Sequence, residues 1–126
     1  MGKVETMYEI EFKDRKDYLF VNIQGPESYD AAVRFWEILA SKARDEKVKR
    51  ILVVDEVSGK LSTLELHKIG ELVSTLFREI QVAFVDPKEE TFSDNEFGET
   101  VIRNRSGNVI LFRTEAEAET WLLRKQ

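Results

Sequence analysis

Along the chain the spacing of apolar residues changes period several times, and each change marks an element. Tyr8, Ile10 and Phe12 alternate with Glu9 and Glu11, the period-two pattern of a strand with one solvated face. Lys13-Asp14-Arg15-Lys16-Asp17 is a charged reversal, and a more apolar run over 18–23 follows it. Together they predict an antiparallel hairpin, with Gly25-Pro26 stopping its second strand. Over 28–45 the period lengthens: Ala32, Trp36, Leu39, Ala40 and Ala43 share a helical face, with Phe35 at its margin. Ile51, Leu52, Val53 and Val54 then run together without polar alternation, which suits a strand covered on both faces. That strand is expected to end at Asp55, before a polar loop.

Ser62-Thr63-Leu64-Glu65 has the spacing of a capping box, in which hydroxyl and carboxylate each take the other residue's backbone N–H. Leu61 and Leu66 flank it at hydrophobic-staple positions, and Leu66, Ile69, Val73 and Leu76 continue one helical stripe. Gly70 interrupts this helix at roughly 1 kcal/mol relative to alanine, which predicts a close neighbour there. A further strand spans 80–85 and stops at Asp86-Pro87, since proline cannot continue a central ladder. After a loop over 88–91, Ser93-Asp94-Asn95-Glu96 reads as a second capping box with Phe92 and Phe97 as its staple. The helix it opens carries Val101 and Ile102 and ends near Ser106-Gly107, with glycine as the left-handed cap. Residues 109–112 form the last strand. Thr114-Glu115-Ala116-Glu117 is a third box, opening a helix that buries Ala118, Trp121 and Leu122.

The resulting order, β-β-α-β-α-β-α-β-α, predicts a single α/β domain over 1–126. Its expected sheet is five-stranded, mixed and mostly parallel, with an N-terminal antiparallel hairpin and four helices.

Composition narrows the function. With 126 residues and 42% hydrophobic content the chain can build one ordinary core. It has no cysteine, which excludes a disulfide framework, a thiol nucleophile and a thiolate metal site, and fits a reducing compartment. The start of the chain lacks a signal-peptide pattern and no segment is long enough to span a bilayer, so a cytoplasmic protein without membrane insertion is expected. Met1-Gly2 with Thr6 makes a short match to a myristoylation signal. Net charge is −5, and the densest basic cluster, Lys47, Lys49 and Arg50, is bordered by Asp45 and Glu46. Without an uncompensated basic face, nucleic-acid binding is not expected.

If the later strands are parallel, Asp55, Asp86 and Arg113 gather at one rim with Ser58, Ser62, Thr63, Ser93 and Thr114. Ligands of open α/β sheets favour that rim, and helix N-termini favour anions. The candidate ligand- or partner-binding residues are therefore Asp55, Ser58, Ser62, Thr63 and Asp86. Each has a plainer role beside it: Ser62 as a cap worth ~1 kcal/mol, and the two aspartates as strand-end turn formers. Glu96, Glu99 and Arg103 read as a solvated helix face, and Trp36 and Trp121 as core. His67 is the only histidine, so neither a metal site nor a cofactor is expected. No nucleophile–base spacing or Gly-rich phosphate loop is present, so no catalysis is expected.

The runs ILVVDEVSGKLSTLELHKIGEL, VAFVDP and FGETVIRNRSGNVILFRTEAEAETWL, in that order, resemble STAS (sulfate transporter and anti-sigma-factor antagonist) domains, closest to the small SpoIIAA-like branch. The resemblance spans nearly the whole chain and implies a SpoIIAA-like fold. It also implies a non-enzymatic regulatory or protein-interaction role, with a protein partner at the loop before the second helix. In the antagonists a serine at the start of that helix is phosphorylated within an Asp-Ser-Ser-Gly-like run. By position Ser62 or Thr63 corresponds, with Ser58 upstream, but this chain reads Lys60-Leu61-Ser62-Thr63-Leu64 and lacks the Asp and Gly. The branch also resembles lipid-transfer folds in element order. That gives an alternative: a carrier of a small anionic, nucleotide or lipid-like ligand. A homodimer through an exposed apolar strand or helix face is compatible with either.

Overall fold

The computed structural model describes residues 7–124, so the Met1-Gly2/Thr6 pattern lies outside it. The hairpin forms as its alternation predicts: β1 (Glu9–Asp14) pairs antiparallel with β2 (Leu19–Pro26). Every later strand joins in parallel, β3 (Arg50–Ser58), β4 (Gln81–Val85) and β5 (Val109–Phe112), so spatial order follows chain order. The connections are α1 (Tyr29–Asp45), α2 (Thr63–Leu76) and α3 (Glu89–Asn104), with α4 (Glu115–Leu122) closing the chain.

The central strands are covered on both faces, as their unbroken apolar runs require. On one face Val21, Ile23, Ile51, Val53 and Val82 pack against α1, α2 and α3. On the other, Phe20, Leu52, Val54, Ala83 and Val85 pack against Ala118 and Leu122 of α4. Trp36 anchors the larger core, with ring centroids 4.9 Å from Phe35, 5.6 Å from Phe77 and 5.8 Å from Phe84. Phe35 is not marginal but 1% exposed, packed inside the larger core beside Tyr8 and Trp36. Trp121 is only partly buried, against Phe112.

Several boundaries differ from expectation. Gly25-Pro26 end β2 as its last two residues, but β3 does not end at Asp55. The two strands extend together, pairing Ile23 with Asp55 and Pro26 with Ser58, beyond the Val54–Val85 pairing that ends β4. Gly25 accommodates this with φ of +126°, a region open to glycine, where the start of β1 passes close by.

The second capping box does not cap: α3 starts at Glu89, and Ser93, Asn95 and Glu96 lie inside it. The N-cap is Lys88, without a side-chain cap; Asp86 accepts its N–H at 2.9 Å, while Glu89 and Glu90 place negative charge at the positive helix end. At the far end Ser106, with φ of +64°, is the left-handed residue. Gly107 is required for a different reason: a Cβ there would lie 2.3 Å from Ile102 Cγ2. The Ser62–Glu65 box is complete in both directions. In the third box Thr114 Oγ1 accepts the Glu117 N–H at 3.2 Å, but Glu117 receives the Thr114 hydroxyl.

Candidate functional site

Two structures meet where β3 and β4 end: a polar knot and an apolar cavity. The knot is built on Asp86, which follows β4 and is fully buried. Asp86 Oδ2 accepts Thr91 Oγ1 and Asn95 Nδ2, both at 2.6 Å, and Oδ1 accepts Lys88 Nζ at 3.0 Å. Lys88 Nζ also donates to the Asp55 carbonyl at 2.7 Å and sits 3.4 Å from Asp55 Oδ1. Burial works against charge on Asp86, but the donors from Thr91, Lys88 and Asn95 outweigh it and hold the carboxyl below its ordinary range. This knot fastens the first two turns of α3 to the strand ends.

Asp55 is less well supplied. Its Oδ1 accepts the Val57 N–H at 2.9 Å, and Oδ2 has only the Asn95 amide at 3.4 Å. Burial pushes its pKa up, opposed by Val57 and Lys88 and reinforced by Asp86. Nearby, Glu27 Oε1 accepts the Tyr8 hydroxyl and the Ser28 N–H, the latter at 3.0 Å. Burial likewise raises the Glu27 pKa and the charge on Asp55 adds to this, opposed by the bonds from Tyr8 and the Ser28 N–H and by the charge of Lys88. Burial next to Glu27 also pushes the Tyr8 phenol up. Perturbed groups of this kind concentrate at functional sites.

Both carboxylates line a cavity of about 80 Å³ between the sheet and α1–α3. Ile23, Phe84, Val109 and Leu111 form its floor, Phe35 and Trp36 one wall, and Leu66, Ile69 and Val73 another. On α3 the lining residues are Asn95, Gly98, Glu99 and Ile102, one helical stripe. Gly98 has no packing reason to be glycine, since a Cβ built there meets no heavy atom within 4 Å. Gly70 is the opposite case: its Cβ would lie 2.8 Å from Val101 Cγ1, the close neighbour that its position in α2 predicts. Leu61 lines both the cavity and a recess of about 20 Å³ outside it. Glu99 does not belong to a solvated face. Its side chain is 15% exposed, with Oε2 accepting the Leu111 N–H of edge strand β5 at 2.7 Å while Oε1 pairs with Arg103 at 3.0 Å.

The five residues expected to bind separate into two groups. Asp55 and Asp86 come together in the knot. Ser58, Ser62 and Thr63 lie exposed on the outer side of the β3–α2 loop and line neither the cavity nor its recess. The cavity's polar residues, Tyr8, Glu27, Asn95 and Glu99, and the knot's Lys88 and Thr91 escape sequence reasoning, because partners up to 40 residues apart define them. Asn95 and Thr91, four apart on a helix above a strand-end aspartate, carry the one local signal.

Among the described residues no helix is long and apolar enough to cross a membrane, and no cluster of three histidine, aspartate or glutamate side chains could hold a metal ion.

A parallel sheet opened by an antiparallel hairpin, with three helices on one face and one on the other, defines the class of fold. No family model and no curated protein sequence matches the chain. Solved structures do. An uncharacterized protein of the DUF3478 family from Shewanella loihica PV-4, described as having a SpoIIAA-like fold, superposes with a TM-score of 0.54 at 19% identity, covering 97% of this chain and 98% of that one. The NMR structure of the protein TM1081 gives 0.52 at 17% identity, covering 99% and 100%. This chain has the SpoIIAA-like fold that its resemblance to STAS domains implies.

Proposed function

We propose that this domain binds a small, largely apolar molecule in the cavity between the sheet and α1–α3, without catalysing a reaction. Gly98 carries the reading. A helix-interior glycine costs roughly 1 kcal/mol relative to alanine, and here an added Cβ would meet no heavy atom within 4 Å. Gly98 is among the residues lining the cavity, and its missing side chain leaves room there. The volume of about 80 Å³ exceeds what one or two waters occupy and is about half of an engineered cavity that takes up benzene. Of the ligand classes the fold suggests, the apolar lining favours a lipid-like or hydrocarbon portion over a nucleotide.

Native mass spectrometry of the protein purified from its own cells tests this. A small-molecule adduct is expected on the wild type and absent from Gly98→Leu, which fills the space. A bare wild-type chain, indistinguishable from the variant, would contradict it.

A regulatory, protein-binding role for the β3–α2 loop has its own support. Leu64, in the first turn of α2 just after that loop, is 64% exposed, an apolar residue offered to a partner, while Leu61 of the loop lines the cavity. In this reading the loop couples occupancy to docking, with phosphorylation at Ser58, Ser62 or Thr63 as the control.

A further inference from the structure

The cavity's charge is one-sided. Among the described residues its lining includes Glu27, Asp55 and Glu99 but no lysine, arginine or histidine. Two of these carboxylates already have cations. Glu99 pairs with Arg103 at 3.0 Å, and Asp55 lies 3.4 Å from Lys88 Nζ. Lys88 is itself held by the knot and does not line the cavity. Glu27 has no such partner among the described residues. Its Oε1 takes the Tyr8 hydroxyl and the Ser28 N–H, and no described donor reaches Oε2. A buried carboxylate of this kind stabilises a cation and repels an anion, and the low dielectric around it strengthens both effects.

We infer that the cavity selects ligands whose polar end is a protonated amine, with the ammonium held by Glu27 and the apolar portion lying against Phe35, Trp36 and Ile69. This rests on the cavity being the binding site, and it narrows the ligand class. An acid or phosphate of the same length would set like charges against Glu27, Asp55 and Glu99, with no cation among the described residues of the cavity lining and Lys88 already held in the knot.

Three probes of matched size separate the two claims: butylamine, 1-butanol and butyrate, titrated into the isotopically labelled protein at neutral pH and followed by backbone amide shifts at Asp55, Leu61 and Gly98. Butylamine is expected to bind about tenfold more tightly than 1-butanol, the worth of a charge-assisted hydrogen bond, and butyrate more weakly than either. Glu27→Gln, which keeps an acceptor for Tyr8, should abolish the preference for the amine while leaving 1-butanol binding in place. Butyrate binding as tightly as butylamine, or a preference unchanged in Glu27→Gln, would overturn the charge selection and leave the cavity as a binding site. If none of the probes shifts these amides, both claims fall.

Discussion

Asp86 and Glu27 lie at the same pole, yet burial has opposite outcomes for them. Asp86 is surrounded by donors that favour its charged form, so its pKa is lowered and it contributes stability above the ordinary carboxylate range. That contribution is lost as pH falls through the lowered value. Asp86→Ala should therefore cost about 3 kcal/mol at neutral pH, as removing one member of a buried ion pair does, and less in strong acid. Urea denaturation as a function of pH measures this, and a pH-independent difference would refute the assignment. Glu27 has a raised pKa, so the folded state binds its proton more tightly than the unfolded chain does. Its effect on stability becomes unfavourable as pH rises from the ordinary carboxylate value through the raised one. Glu27→Gln should accordingly equal or exceed the wild type in stability at neutral pH and lose that advantage in acid. A variant less stable at neutral pH would show that the charge is supported rather than strained. Sequence could place Asp86 at a strand end, but not tell a satisfied carboxylate from an undersupplied one. That difference depends on Lys88, Thr91 and Asn95 folding back over it.

Among the elements, α2 and α3 meet through two glycines that look alike in sequence and are not. Gly70→Ala would put a methyl 2.8 Å from Val101 and should destabilise. Gly98→Ala adds a methyl to open space and should stabilise by roughly 1 kcal/mol; thermal unfolding of the pair reads both signs. The first glycine was legible as a close contact because helix propensity alone marks it as costly. The same reasoning flags Gly98, but only coordinates show that nothing fills the gap. At the start of α2, Ser62→Ala should cost about 1 kcal/mol, whereas Ser62→Asp retains a capping oxygen. If the loop docks a partner under phosphorylation, the two variants will both fold and will differ in partner capture; equal capture would remove that reading. Ser93-Asp94-Asn95-Glu96 has the local spacing of a cap but lies inside α3, whose N-cap residue Lys88 is tied by its N–H to Asp86, a contact that no local spacing marks.

The whole molecule is asymmetric about its sheet. One face carries α4 alone over a small core, and the other carries three helices over a larger one that is not completely filled. The order and pairing of the strands were legible because apolar period and turn residues are local properties, and each strand lies beside its neighbour in sequence. The cavity was not, since it is a volume left between side chains from every layer of one face. The same face holds Trp36, Leu61 and Gly98 around that space, so a single structure can examine it. A crystal of the wild type pressurised with xenon, which occupies apolar cavities, should show a peak between Trp36 and Gly98, with no such peak in Gly98→Leu. A wild-type structure with no xenon there, and with Trp36 or Leu61 collapsed into the space, would contradict the central claim that this is a preformed binding cavity.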